Sequence, residues 1–214
     1  CNVVIGPREV GSGTTSAAAG LYFDELVPSG ERRRPGTPID PAIAEQVTLQ
    51  TISVRNSDGR PRPEQEVDAE VAEIVAAQVA AGRRVLLHIV AHNKTGMHAP
   101  SLAEAGRLRA RYGDDVLVVV DAAQGRFSRR GLVDVLRKGY LVIVTGSKFY
   151  GGPPFAGGVL IPPALDPVRQ GITGFPPGIG DFLTQAQVPT AWQALRASLP
   201  LPGNPGLLLR WEAA

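Results

Sequence analysis

Among the 214 residues there is a single cysteine, Cys1, which rules out a disulfide within the chain and any metal cluster built on thiolates. A reducing, cytoplasmic setting is the expectation that follows. Histidine is scarce too. His88, His92 and His98 are the three present, without carboxylates at supporting spacing, so no metal is expected. No apolar run approaches the roughly 20 residues of a membrane span, and no charged-then-apolar leader opens the chain. The formal charge of +2 is too small to argue for nucleic acid or an acidic surface as partner. Lysine is limited to Lys94, Lys138 and Lys148 in a chain that otherwise uses arginine.

What remains is the composition of an ordinary globular protein, 43% hydrophobic and 20% charged, long enough for one large α/β domain with a real core. The chain opens on Cys1 and on a strand entered part-way, and it closes on Leu207–Ala214, which reads as an element cut in its middle. A fragment of a longer protein is therefore expected.

Apolar runs and helical periodicity alternate along the first 161 residues. Val3–Ile5 is β-branched, and Ala17–Phe23 is helical in composition. Ser29–Pro41 reads as an exposed loop with Arg32–Arg34 as a solvated run. Val47–Val54 alternates as a strand, and Asn56–Pro63 is a turn. Glu64–Ala81 repeats apolar residues at helical spacing and meets Gly82, a good residue to follow a helix. Val85–Ala91 is a continuous apolar strand of the kind found inside a parallel sheet. Ser101 and Glu104 form a capping-box pattern for a helix to about Tyr112. Strand Val116–Val120, helix Gly131–Lys138, strand Leu141–Val144 and an antiparallel return over Ala156–Ile161 follow. The alternation predicts an α/β fold: a mostly parallel sheet with helices on both faces. Residues 1–161 are expected to form the large domain. Residues 162–214, dense in proline and glycine, read as a connection toward a further C-terminal domain.

The turn after the first strand carries Gly11-Ser-Gly-Thr-Thr-Ser16 ahead of a helix. Hydroxyls at a helix start suit an anion, although Thr14 or Ser16 can equally be a plain helix cap. Two nucleotide motifs fail here. A P-loop needs lysine where Ser12 stands, and the dinucleotide fingerprint meets Ser16 in place of its third glycine.

Two further strand ends carry chemistry. Asp121 closes one, and Thr145-Gly-Ser-Lys148 follows the other, at the sheet edge where open α/β proteins bind ligands. One fixed carboxylate, one nucleophilic amine and a phosphate-type turn are the demands of Schiff-base chemistry on pyridoxal phosphate (PLP): the carboxylate keeps the ring nitrogen protonated, and the lysine holds the aldehyde. The set resembles fold-type I PLP-dependent enzymes, and within them the class V aminotransferase and cysteine desulfurase group. Gly-Ser-Gly-Thr-Thr (11–15), Val-Asp-Ala-Ala-Gln (120–124), Thr-Gly-Ser-Lys (145–148) and the glycine-rich run after it carry the resemblance.

That resemblance implies the PLP-dependent transferase fold for residues 1–161 and a role for each matching residue. Lys148 forms the Schiff base and moves the substrate's α-proton. Asp121 pairs with the pyridinium nitrogen, Gln124 hydrogen-bonds the phenolic oxygen, and Ala123 packs on one ring face. Thr14, Thr15, Thr145 and Ser147 hold the phosphate, with Gly13 beside them, and Asn93 contacts the ring oxygen. It implies an amino-acid-like substrate, transferase or lyase chemistry and a homodimer. The chain departs from the group in having Ser147 where desulfurases carry histidine, and no stacking aromatic stands out between Asp24 and Val54. Lys94 is the fallback nucleophile, and His88 is read as a core residue. Two alternatives stand beside this reading: a non-catalytic module of the same fold serving in binding or assembly, and a nucleotide-binding α/β domain.

Overall fold

The computed structural model describes residues 1–148, 150–152 and 157–201, with positions 206, 209 and 212. Most of the closing element expected at Leu207–Ala214 and part of the glycine-rich run after Lys148 lie outside the described residues.

Six strands form one sheet in the order β2-β1-β3-β4-β5-β6. They are β1 (Asn2–Ile5), β2 (Leu49–Ile52), β3 (Val85–Val90), β4 (Val116–Asp121), β5 (Leu141–Thr145) and β6 (Gly157–Leu160). The first five are parallel, and β6 returns antiparallel to β5, Thr145 opposite Gly157. The helices are α1 (Thr14–Ala18), α2 (Pro41–Ala44), α3 (Glu64–Ala80), α4 (Leu102–Tyr112), α5 (Arg129–Arg137) and α6 (Gln193–Ala197). No helix among the described residues is long and apolar enough to cross a membrane.

Strand alternation divides the sheet into two unlike faces. On one, Val3, Ile5, Val85, Leu87, Ile89, Val116, Val118, Val120 and Val142 join Val67, Val71 and Val75 of α3, Ala105 and Leu108 of α4 and Val135 of α5 in the main core. The three valines of α3 recur four residues apart on one helix face, and burying each contributes about 1.5–3 kcal/mol. On the other face lie Asn2, His88, Asp121 and Thr145. There α1 is fastened by the Asn2 Nδ2, which donates to the Ala18 carbonyl at 2.8 Å. Helices do cover both faces as the alternation predicts, but unequally: the three long ones share a face, and the other holds a helix of five residues.

Local differences from the sequence reading have simple causes. The helix read over Ala17–Phe23 begins earlier and ends sooner, because Gly20 takes φ +75° and turns the chain out. Its cap is Gly13, without a side-chain cap, not Thr14 or Ser16. The capping box of α4 is half made. Ser101 Oγ accepts from the Glu104 N–H at 3.0 Å, but the Ser101 N–H donates to Asp68 at 2.8 Å, and Glu104 turns to Arg107 instead. Arg32–Arg34 is not wholly solvated. Arg33 donates twice to Asp181, at 2.8 and 3.1 Å, and Tyr22 donates to the same carboxylate at 2.6 Å. Through this carboxylate, and through Phe182 stacked beside Tyr22 and Phe23, the segment after β6 packs back against residues 22–39.

Candidate active site at the carboxyl edge of the sheet

Parallel strands deliver their carboxyl ends to one edge, and β1, β3, β4 and β5 are consecutive there. Adjacent strands lie about 4.8 Å apart, so the four ends span roughly 14 Å. The loops are stitched sideways as they leave the sheet: the Ala91 N–H donates to the Asp121 carbonyl and the Ala122 N–H to the Ile143 carbonyl, both at 2.9 Å.

Asp121 lies at the end of β4, half-buried, and one of its oxygens accepts from the Ala123 N–H at 3.0 Å. That turn fixes one oxygen of the carboxylate at the strand end. Ala123 and Gln124 are half-buried in the same turn. Gly125 follows with φ +66°, and its carbonyl accepts from the Tyr150 hydroxyl at 2.9 Å while the Tyr150 ring lies where a Cβ would go. After β5, Thr145 Oγ1 and Ser147 Oγ lie 2.8 Å apart, and the Ser147 N–H donates to Thr145 Oγ1 at 3.2 Å. Lys148 comes next and is exposed. After β1, Gly13 starts α1 with Thr14 and Thr15 half-buried behind it. Phe23 explains the glycine: a Cβ at Gly13 would lie 2.7 Å from its ring.

The turn after β3 is a closed return. Val90 and Ala99 exchange backbone hydrogen bonds at 2.8 and 3.2 Å, and the Asn93 N–H donates to the Met97 carbonyl at 2.8 Å. Asn93 is buried, and Lys94 is exposed. His92 takes φ 62°, a conformation uncommon outside glycine, and its buried Nδ1 has no partner among the described residues. Its ring meets His98 edge-on at 5.6 Å. Burial, and then His92, hold His98 below its ordinary pKa.

The sequence reading makes His88 a core residue, but strand alternation turns it to the face opposite the main core, where it is half-buried beside Asn2. Its Nε2 lies 3.1 Å from Asn2 Oδ1, and burial lowers its pKa to about 4 against the opposing charge of Asp121. Two residues that sequence reasoning passed over join the edge, Glu9 and Arg55. Glu9 follows β1 and accepts from Asn93 Nδ2 at 2.7 Å; it also pairs with Arg55, which follows β2. No local pattern marks either one, because a lone acidic residue in a turn acquires meaning only from its distant partners.

One carboxylate, hydroxyls on two loops, a buried amide and a lysine fit the donor set that PLP needs: Asp121 for the ring nitrogen, Thr14, Thr15, Thr145 and Ser147 for a phosphate, Lys148 for an aldehyde. No family model and no curated protein matches this chain. Among solved structures, mouse CSAD in its apo form aligns over 100% of the chain with a TM-score of 0.50 and 15% identity. The fold is that of the PLP-dependent transferases. At this identity the likeness is one of architecture. The chain spans 39% of the length of CSAD. An Erwinia carotovora atroseptica protein named as a histidinol-phosphate aminotransferase aligns over 77% of this chain and 40% of its own, at 16% identity and a TM-score of 0.39 that is too low to bear on the fold.

Proposed function

We propose that the chain is the cofactor-binding part of a PLP-dependent enzyme of the class V aminotransferase-like group, acting on an amino-acid-like amine by transfer or lyase chemistry, with Lys148 as its Schiff-base lysine. The observation that carries this reading is the edge itself. Loops from four adjacent strand ends bring complementary groups to one place, and Asp121 and Lys148 stand on neighbouring strands. The likeness to mouse CSAD in fold, that of the PLP-dependent transferases, supports the reading at the coarse level.

PLP, when bound, supplies an electron sink for charge developing on the substrate. The residues of this chain supply the rest. Asp121 would accept the ring N–H and keep that proton in place. Gln124 and Asn93 would donate to the ring oxygen, with Ala123 beside the ring. The hydroxyls of Thr14, Thr15, Thr145 and Ser147 would donate to the phosphate. Lys148, the one amine directly after β5, moves a proton at the substrate carbon; its exposure lets it swing between positions. In this reading two copies of the full protein form a homodimer.

The test is an absorption spectrum of the purified chain with PLP before and after borohydride, followed by peptide mapping. The expected result is a visible band that borohydride fixes onto Lys148 and that Lys148→Ala abolishes. A folded chain that shows no band, or fixation at Lys94, sinks the assignment.

A further inference from the structure

Asn93 is 3% exposed, and its side chain is held from both ends. Its oxygen accepts from the Thr95 N–H at 3.0 Å, the Thr95 hydroxyl at 2.9 Å and the Met97 N–H at 2.8 Å, while its nitrogen donates to Glu9 at 2.7 Å. Backbone N–H groups only donate and a carboxylate only accepts, so the amide has one orientation. Reversing it would set its NH2 against two N–H groups and its oxygen against a carboxylate. With the oxygen saturated and one N–H committed to Glu9, the single group Asn93 can offer a ligand is its second N–H.

Glu9 is itself fixed. One oxygen pairs with Arg55 Nε, and the other, which holds Asn93, is also 3.4 Å from the Thr95 hydroxyl. The Arg55 guanidinium donates further to Thr95 Oγ1 at 2.8 Å and to the Gly59 carbonyl at 3.0 Å. The Arg55 and Glu9 side chains are 27% and 14% exposed, so the Glu9 bonds to Arg55 and Asn93 are part-buried, while those to Thr95 and Gly59 lie at the surface.

We infer that Glu9, backed by Arg55, is a positioning residue for the cofactor site: it locks the Asn93 amide as a donor, so that this edge selects a ligand with an anionic oxygen opposite β3. The inference rests on the PLP reading, in which that oxygen belongs to the ring. It assigns work to an ion pair that spans the turns after β1 and β2 and touches no ligand itself.

PLP titrations of the chain and its variants, with a thermal melt of each, provide the test. The readouts are the PLP Kd and the pH midpoint of the cofactor's visible band. Asn93→Ala is expected to weaken PLP about tenfold, the loss of one hydrogen bond to a charged oxygen, and to move the midpoint. Glu9→Ala is expected to reproduce both effects, and the double variant to be no worse than Asn93→Ala alone, because Glu9 acts only through Asn93. Glu9→Gln has one oxygen for two partners and falls between Glu9→Ala and the parent. Where Glu9→Ala does not fold, Arg55→Lys, which cannot serve Glu9, Thr95 and Gly59 together, takes its place with the same direction of shift. If the parent chain shows the Lys148 band while Glu9→Ala keeps its Kd and midpoint, or the two single losses add, the positioning role is overturned and the PLP reading stands. A folded parent chain without the band overturns both.

Discussion

Lowering the pH should destabilise this protein measurably through one histidine. His88 sits in β3 with its Nε2 against Asn2 Oδ1, and the Asn2 amide is oriented by its own bond to Ala18, so His88 is a neutral donor at Nε2. Burial lowers its pKa to about 4 from the ordinary 6.5, with Asp121 acting in the opposite direction. The sign follows directly. Below pH 6.5 the unfolded chain takes a proton at this site and the folded chain does not, so stability present at neutral pH is lost as the pH falls toward the folded value. From these two pKa values the loss is about 2 kcal/mol by pH 5 and about 3 kcal/mol by pH 4. Urea denaturation of the parent and His88→Gln at pH 7, 6, 5 and 4.5 measures it. The parent should lose this increment and the variant should not, whatever its stability at pH 7. NMR titration of the ring, with a midpoint near 4 in the parent and lower still in Asp121→Asn, is the direct check. A midpoint near 6.5, or equal pH slopes in both proteins, refutes the reasoning.

Other outcomes follow from the same geometry. Asp68→Ala removes two hydrogen bonds to Ser101, at 2.8 and 2.6 Å, that tie α3 to the start of α4. The expected cost is about 3 kcal/mol, or a fall in Tm of roughly 6–12 °C on a calorimetric scan. At Asp181, burial alone would raise the carboxyl, but hydrogen bonds from Arg33 and Tyr22 outweigh it and hold the carboxyl below its ordinary range; burial and the same carboxylate raise Tyr22. The clamp should therefore weaken below pH 3.8, as Asp181 protonates, and above pH 10, as Tyr22 ionises. Melts of the parent and Asp181→Asn should differ most between those limits, and a difference independent of pH would argue against the clamp.

Much of the fold was legible because β-branched runs and glycine stops are strong local signals. α3 begins at Glu64 and stops before Gly82 as its periodicity indicates, and every expected strand is present within a few residues. The short helix α1 was misjudged because an alanine-rich run carries no information about where tertiary contacts cease to support it. Asp121, Thr145 and Lys148 could be placed because strand ends carry them to a known edge. Glu9, Arg55 and Asp181 could not, since each acquires its role from side-chain partners 40 to 159 residues away. The solvated look of Arg32–Arg34 is a property of neighbours in sequence, and Arg33 answers to a neighbour in space.

The two faces of the sheet set different rules for change. Within β3 and β4, odd and even positions serve different masters: Leu87, Ile89, Val118 and Val120 fill the core, while His88, Val119 and Asp121 point the opposite way. A single-residue insertion or deletion inside either strand would exchange the two sets beyond the edit and drain the core there, and in β4 it would also turn Asp121 inward. The same edit in the turn of Asn56–Pro63 disturbs neither. Lineages of this protein should therefore tolerate length variation between elements and permit only substitutions within them.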